Sequence, residues 1–235
     1  MPPPERQPAT TDEELLGTKR RQVHATRTEA ERVDRIEREM EAGFAALRDL
    51  GPAVSFFGSA RTPPDHPYYA LARDTARRVG EEGFAIITGG GPGIMEAANR
   101  GALDAGVKSV GLNIELPFEQ GANGFQDIDL TFKYFFTRKV MFVRYATAFV
   151  VFPGGYGTLD ELFEALVLEQ VDKIRDFPIV LVGTEFWAGL LAWIRAKLLG
   201  ESFISERDPE LLFVTDDPEE VVDIVCAGRH QQEER

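Results

Sequence analysis

The sequence predicts an α/β protein with a doubly wound, mostly parallel sheet and a helical extension at the N-terminus. From Pro52 onward, short apolar segments of strand length alternate with segments of helical periodicity, and glycine clusters separate several strands from the helices after them. Near-continuous apolar strands that alternate with helices are typical of a parallel sheet covered on both faces. In such sheets ligands bind beyond the carboxyl ends of the strands, so the loops there are the first candidates for function.

The predicted elements follow in regular order. The strands are 53–57, 84–88, 109–112, 147–152, 178–182 and 211–214. The helices are 68–82, 94–105, 137–146, 158–171, 187–199 and 218–227. This alternation predicts one Rossmann-like domain over residues 52–228, followed by a polar tail over 229–235.

The N-terminal region follows a different pattern. Residues 1–27 are rich in Pro, Thr, Arg and Glu and lack apolar periodicity, which predicts a disordered tail. Residues 28–51 are expected to form one amphipathic helix, since apolar side chains recur there every three or four residues. Those side chains are Val33, Ile36, Met40, Phe44 and Leu47. We expect this helix to pack on the domain or on a second subunit.

Composition excludes several classes of protein. The 235 residues, 43% of them apolar, suit one domain with an appendage. The net charge of −13 argues against nucleic-acid binding, which requires an excess of Lys and Arg. No segment approaches the roughly 18 to 20 apolar residues of a membrane helix, and the start lacks a secretory signal. We therefore expect a cytoplasmic protein with no membrane partner.

Neither a metal nor a cofactor is expected. Cys226 is the single cysteine, so the chain cannot form an internal disulfide framework. The three histidines, His24, His66 and His230, are too widely separated to form a local metal motif.

The loops after the first two strands are candidates for ligand contact. The first contains Gly58, which permits a sharp turn, and Ser59, a donor, although Gly-Ser after a strand is often only a turn. The second, Gly89-Gly90-Gly91-Pro92-Gly93, opens a helix, where amides and the helix dipole favour an anion. Candidates from this loop are Gly90 and Gly91 for phosphate or ribose, and Met95 and Glu96 on the base side. A tight turn that needs room is the structural alternative.

The loop after strand 147–152 gives the stronger signal. Gly154, Gly155 and Gly157 can form a nest of amides for a phosphate, and Thr158 can cap the following helix and donate to an oxygen. Glu161 falls one helical turn after Gly157, within reach of a group attached to that phosphate. A capping box formed by Thr158 and Glu161 is the alternative, but it leaves the glycines unexplained.

Standard nucleotide signatures are absent from these loops. The sequence has no GxxxxGK followed by Ser or Thr, so a P-loop enzyme is not expected. A dinucleotide fingerprint that begins at Gly89 fails because Ile94 occupies the position of its third glycine. Two glycine loops on separate strands suit one compact nucleotide better.

Three segments carry a family resemblance: GGGPGIMEAANRGA at 89–102, the Arg138-Lys139 pair before Met141, and PGGYGTLDE at 153–161. They resemble the Lonely guy (LOG) family of cytokinin-activating phosphoribohydrolases, long mislabelled as lysine decarboxylases, whose pattern PGGxGTxxE the third segment fits. The resemblance covers residues 52–226. It implies hydrolysis of the N-glycosidic bond of purine nucleoside 5′-monophosphates, AMP or N6-substituted AMP, to free base and ribose 5-phosphate. It also implies a homodimer or larger homo-oligomer with the active site at the subunit interface.

The resemblance further implies that Arg138 and Glu161 are the catalytic pair. A carboxylate can stabilise a ribosyl cation and activate water, whereas a guanidinium is suited to positioning and electrostatics. Lys139 is a weaker candidate on the base side. Two departures from the plant-type pattern leave cytokinin preference open: Phe57 stands where Cys is frequent, and Pro-Gly-Ile-Met-Glu replaces Gly-Leu-Met-Gly.

Aromatic residues and other activities leave alternatives open. Four aromatic side chains could line a base pocket or belong to the core, which we favour for most of them: Phe132, Tyr134, Phe135 and Phe136. Lysine decarboxylation would need a pyridoxal phosphate on Lys139, with no apparent partner for the pyridine nitrogen. A carrier that binds a nucleotide or cofactor without turnover is the non-enzymatic alternative.

Overall fold

A computed structural model describes residues 8–17, 27–116 and 121–234. Within them, one all-parallel sheet has the strand order β4-β3-β2-β1-β5-β6-β7. The strands are β1 (Ala53–Phe57), β2 (Ala85–Thr88), β3 (Ser109–Ile114), β4 (Ile128–Phe132), β5 (Ala148–Val151), β6 (Ile179–Leu181) and β7 (Leu212–Val214). The predicted doubly wound, Rossmann-like fold is confirmed.

Helices cover both faces of this sheet. They are α1 (Thr11–Gly17), α2 (Glu29–Leu47), α3 (Pro67–Glu81), α4 (Ile94–Ala105), α5 (Phe135–Tyr145), α6 (Tyr156–Gln170), α7 (Thr184–Trp193) and α8 (Pro218–Glu233). A π-helical segment, Ile194–Leu199, continues α7, and a short 3-10 turn, Asp208–Leu211, precedes β7. No helix in the described ranges is both long and apolar enough to cross a membrane.

The central strand β1 is buried on both faces. Val54 and Phe56 pack into the core formed with α3, α4 and α8, whereas Ala53 and Phe57 pack into the core on the α2, α5, α6 and α7 side. Side chains alternate across a strand, so an all-apolar strand can serve two cores at once. The continuous apolar runs of the sequence therefore fix the centre of the sheet.

The order in which successive strands are added to the sheet reverses at β1: β2 to β4 extend it on one side and β5 to β7 on the other. The neighbours of β1 are β2 on one side and β5 on the other, so the loops after β1 and β5 diverge and open a crevice between them. Backbone hydrogen bonds fix the walls of this crevice: Ser59 N donates to Pro153 O at 3.0 Å, and Ile94 N donates to Ser59 O at 3.1 Å.

The predicted boundaries needed correction at both ends of the chain. The prediction of disorder over residues 1–27 is wrong for Thr11–Gly17, which form α1, while residues 1–7 and 18–26 lie outside the described residues. The predicted polar tail over 229–235 is also wrong, because α8 continues to Glu233 and the Gln232 side chain donates to the carbonyls of Thr147 and Asp176. Polar tertiary contacts of this kind leave no apolar periodicity in the sequence.

The edge strand β4 was not predicted. Its residues IDLTF alternate in burial, with the polar Asp129 and Thr131 exposed and the apolar members half-buried or buried, and one of its edges is open. An edge strand needs no continuous apolar run, so the criterion that found the central strands missed it.

The predicted helix over 28–51 corresponds to α2. Thr28 and Glu31 form a capping box at its start, each side chain accepting from the other residue's backbone N–H. Leu47 is fully buried and Met40 and Phe44 are packed against the same core, whereas Val33 is exposed. This helix therefore packs on its own domain through its C-terminal half.

Candidate active site

A cavity of about 680 Å³ lies at the carboxyl ends of the strands. The loops after β1, β2 and β5, the end of β3 and the first turns of α5 and α6 line it. Its volume is in the range of small-molecule sites, and it lies at the crevice where the sheet order reverses.

The loop after β5 forms one wall of this cavity. Gly155 and Gly157 line the cavity, and a Cβ on either would meet nothing within 4 Å. Packing therefore does not require these two glycines, and their amides remain open to a ligand. Gly154 differs, because a Cβ there would lie 2.1 Å from Thr158 Oγ1. Its absence from the cavity lining fits a packing role.

The capping-box interpretation of Thr158 and Glu161 is wrong. The helix α6 begins at Tyr156 with Gly155 as N-cap, two residues earlier than predicted, and no side chain caps it. Thr158 therefore lies in the first turn and Glu161 in the second, both buried and both on the cavity wall. Helix initiation thus gives no account of either side chain.

The first two glycine loops contribute unequally. Gly58 and Ser59 line the cavity, and a Cβ on Gly58 would lie 2.6 Å from Ile94, so this glycine also lets α4 approach β1. Gly91 lines the cavity, whereas Gly90 does not. Gly90 has a φ of +72° and faces the Asn113 side chain. Its role is conformational rather than direct contact.

Glu161 is the acidic residue of the cavity lining, and its pKa is strongly raised. Its side chain is 4% exposed, and burial raises its pKa from 4.5 to about 7, despite the nearby positive charges of Arg138 and Lys139. Arg138 Nη2 lies 3.9 Å from Glu161 Oε1, within ion-pair range but beyond a hydrogen bond. The two groups expected to act together are therefore adjacent, buried and only loosely paired.

Arg138 is held between aromatic rings. Its guanidinium carbon lies 5.2 Å from the ring centroid of Phe135 and 5.4 Å from that of Phe142. Burial lowers the pKa of this guanidinium. Among the described residues, neither Arg138 Nε nor Glu161 Oε2 has a hydrogen-bond partner, although both are buried. Buried polar atoms without partners are costly, so both atoms are suited to a bound ligand.

Two of the three predicted base-side residues lie elsewhere. Met95 lines the cavity, but the Glu96 carboxylate accepts from Tyr69 Oη at 2.7 Å outside the cavity lining. Lys139 Nζ pairs with Asp160 at 2.9 Å and Glu164 at 3.1 Å. Each step along a helix rotates the side chain by about 100°, so residues adjacent to a cavity-facing position point away from it.

The four aromatic residues are divided between core and cavity. Phe132 and Tyr134 are buried in the protein, as predicted for most of them. Phe135 lines the cavity, whereas Phe136 is half-exposed and lies outside the cavity lining.

Several cavity residues were not predicted as site residues. Phe142 follows Arg138 by one helical turn, so the helical repeat could have identified it. Asn113 is at the carboxyl end of β3, and that position alone marks it in a parallel sheet. Arg61 follows Ser59 by two residues in the loop after β1, and it also lines the cavity. Within the described ranges, no group of His, Cys, Asp and Glu is arranged to hold a metal ion.

A Rossmann-like α/β domain with a glycine-lined cavity at its switch point is the class of protein that this fold and site define. Residues 95–225 match the family described as "Possible lysine decarboxylase", and the chain belongs to this family. Its relatives include LOG proteins, which confirms the resemblance noted in the sequence.

The relatives differ in how much of them this chain covers. The "Cytokinin riboside 5′-monophosphate phosphoribohydrolase" of Mycobacterium tuberculosis is 31% identical over 67% of this chain and 84% of its own length. The "Probable cytokinin riboside 5′-monophosphate phosphoribohydrolase LOGL5" of rice (Oryza sativa subsp. japonica) is 31% identical over 59% of this chain, but the match spans only 56% of that protein.

Solved structures share the fold at low identity. The protein TM1055 is 22% identical over 74% of this chain and 98% of its own, with a TM-score of 0.57. The molybdenum cofactor carrier protein of Chlamydomonas reinhardtii is 20% identical over 76% of this chain and 98% of its own, also with a TM-score of 0.57. At these identities the similarity establishes the fold alone.

Proposed function

We propose that this protein hydrolyses the N-glycosidic bond of purine nucleoside 5′-monophosphates to free base and ribose 5-phosphate. The observation that carries the proposal is the buried Glu161 carboxylate, with a pKa of about 7, beside Arg138 in a cavity of nucleotide size. The names of the LOG relatives support the same reaction class.

The phosphate is assigned to the start of α6. Backbone amides around Gly155 and Gly157, the Thr158 hydroxyl and the positive end of the helix dipole all favour an anion at this point. Arg61, on the facing loop after β1, supplies a positive charge to the same cavity. Phosphate binding would fix the ribose relative to Glu161.

Glu161 is assigned to the chemistry at the ribose C1′. The C1′–N bond breaks with its electron pair leaving on the base, and the carboxylate stabilises the cation-like ribosyl centre. Water adds its oxygen to C1′ and loses a proton to Glu161, and that proton then reaches the departed base or solvent. Arg138 orients the carboxylate and the substrate electrostatically, because a guanidinium is a poor proton donor at neutral pH.

The substrate class is AMP or N6-substituted AMP, and a homodimer or larger homo-oligomer is part of the proposal. Tyr156 is 93% exposed at the cavity rim, and Phe136 and Val140 are half-exposed on the neighbouring α5. Exposed large apolar side chains next to a ligand cavity support a second subunit that covers them. The names of the relatives refer to cytokinin ribosides, and a preference of this chain for such substrates is a separate question.

A carrier role is the second candidate, because solved neighbours include molybdenum cofactor carrier proteins. The amide nest alone would suit a carrier. A carrier of a phosphorylated ligand gains nothing from a buried carboxylate beside it, which favours the hydrolase. Lysine decarboxylation is disfavoured, since the Lys139 amine is occupied by Asp160 and Glu164 and its pKa is raised rather than lowered.

The test is direct product analysis. The purified protein is incubated with AMP, GMP, CMP, N6-isopentenyl AMP and adenosine, and released base is measured by chromatography. We expect base from purine 5′-monophosphates and little from adenosine, because the phosphate contacts orient the ribose. Equal turnover of AMP and adenosine would refute the role of the α6 loop. Tight nucleotide binding without base release would favour the carrier.

A further inference from the structure

The start of α5, the helix that carries Arg138, is held by side chains from outside the helix. Its N-cap residue, Tyr134, makes no side-chain cap. Instead, Glu39 of α2 accepts from the backbone N–H groups of Lys133 at 2.7 Å and Tyr134 at 3.2 Å. Asp12 of α1 accepts from the N–H of Phe135 at 3.0 Å. Two carboxylates thus cap three consecutive amides at a helix end that favours negative charge.

Further contacts tie these two carboxylates to the helix and the sheet. The Thr137 hydroxyl donates to Glu39, which adds a third bond to the same side chain. Thr11, next to Asp12, donates to the Glu115 carboxylate from its backbone N at 3.1 Å and from Oγ1 at 2.9 Å. Glu115 follows β3, so α1 is fastened to the strand end beside the cavity.

Arg138 depends on this first turn for its position. Its backbone N donates to Tyr134 O at 3.4 Å, a long first bond of the helix. Its side chain makes the 3.9 Å approach to Glu161 and lies against the Phe135 ring, whose backbone N–H is the one that Asp12 accepts. The capped turn therefore sets both the backbone and one of the rings that hold the guanidinium.

We propose that Glu39 and Asp12 of the N-terminal helices are positioning residues for Arg138, so that the extension before the Rossmann-like domain is a working part of the site. This inference rests on the proposed function of Arg138. Glu39 is the stronger contributor, because it accepts three bonds and Asp12 accepts one. Both carboxylates lie outside residues 95–225, the part of the chain that matches the family model.

The experiment compares Glu39→Ala with Glu41→Ala, which removes an exposed carboxylate of the same helix. We expect Glu39→Ala to lower kcat for AMP by about tenfold or more with KM changed by less than about threefold, because misplacement of an orienting group weakens the transition state. Glu39→Gln, which keeps an oxygen acceptor, should recover part of the loss. Glu41→Ala should match wild type.

A second background separates positioning from a merely structural role. In an Arg138→Ala protein, adding Glu39→Ala should cause no further loss of the residual kcat, since groups that act through one another are not additive. A folded Glu39→Ala protein with wild-type kcat, or a full additional loss in the Arg138→Ala background, would overturn the proposal.

Amide hydrogen exchange distinguishes this proposal from the proposed function. Exchange at the amides of Lys133 and Tyr134, which donate to Glu39, and in the turn that follows up to Arg138 should accelerate by about tenfold or more in Glu39→Ala and stay unchanged in Glu41→Ala, because capping bonds protect the first turn. If wild type releases no base from AMP, the hydrolase assignment fails, yet the exchange still decides whether Glu39 holds Arg138. Unchanged protection in Glu39→Ala would defeat the positioning role whatever the activity.

Discussion

Two groups of ion pairs join cations of α5 to carboxylates of α6. They differ in how closely the charges are paired, although their residues are adjacent in sequence. Arg138 and Glu161 face the cavity, expose 12% and 4% of their side chains, and approach only to 3.9 Å. Lys139 lies beside Arg138 and makes tight ion pairs at 2.9 and 3.1 Å with Asp160 and Glu164, on either side of Glu161. Arg138 and Lys139 are similarly enclosed, at 12% and 14% side-chain exposure, so the difference lies in their partners: Glu161 is buried and loosely paired, whereas Asp160 and Glu164 are more exposed and closely paired.

The difference shows what makes an acidic group suited to chemistry. Burial raises the pKa of Glu161 to about 7, because few partners offset the loss of solvation. Asp160 is half-exposed and closely paired, so its charge is satisfied by water and by Lys139. Residue type alone does not distinguish these carboxylates. Glu161 differs from Asp160 because it is buried and incompletely paired.

The largest expected effect is on turnover. Glu161→Gln preserves shape but removes the negative charge, so we expect kcat for AMP hydrolysis to fall by at least about 100-fold. AMP binding, measured by calorimetry, should persist or tighten, because a carboxylate near the phosphate is removed. Glu164→Gln, one turn further along α6, is the matched control and should stay within about threefold of wild type. Similar losses in both variants would break the distinction between the two groups of ion pairs.

The next effect is on stability. A buried carboxyl whose pKa is raised from 4.5 to about 7 favours folding while it is protonated, and this contribution is lost as pH rises through about 7. At pH 8 the ionised Glu161 therefore weakens the fold, and Glu161→Gln should raise the free energy of unfolding by about 3 kcal/mol. Denaturant unfolding at pH 8 and pH 4.5 measures this, and the gain should vanish at the lower pH. A destabilised Glu161→Gln protein at pH 8 would contradict the account of the burial.

The central part of the fold could be predicted because burial leaves a record in composition. β1 and β5 are continuous apolar runs, and the alternation of strands with helices indicates their parallel packing. The edge strand β4 and the helix α1 left no such record. The strand β4 pairs with β3 on one side only, and α1 is held by hydrogen bonds such as those from Thr11 to Glu115.

The site could be predicted in its loops but not in its side-chain orientations. Motif spacing placed Glu161 and Arg138 on the two helices, and the structure brings them together. Spacing could not show that α6 starts at Tyr156, which excludes the capping box, or that Glu96 turns toward Tyr69. The earlier start of α6 moves Thr158 from the N-cap position into the first turn. The helix α4 begins at Ile94 as predicted, and Glu96 is directed by its tertiary hydrogen bond with Tyr69, which spacing does not record.

The pH dependence of catalysis sharpens the contrast further. If Glu161 acts as a carboxylate, kcat/KM for AMP should rise with pH, with a midpoint near its pKa of about 7, and level off above it. The substrate phosphate also titrates near pH 6. The residual activity of Glu161→Gln is therefore the control, and it should lack the rise near 7. A profile that falls with increasing pH would instead assign Glu161 the role of a general acid.

The smallest expected effect concerns Lys139→Met, which removes the cation shared by Asp160 and Glu164. These two carboxylates are 55% and 34% exposed, so water can replace much of the lost pairing and the cost should be about 1 kcal/mol of unfolding free energy. Turnover at pH 8.5 should change by less than about threefold, because Lys139 lies outside the cavity lining. The positive charge of Lys139 lowers the pKa of Glu161, so its removal should move the midpoint of the pH profile upward. Chemical denaturation and pH–rate profiles of this variant test both points. A loss of turnover comparable to that of Glu161→Gln would place Lys139 among the catalytic residues and end the separation between the two groups of ion pairs.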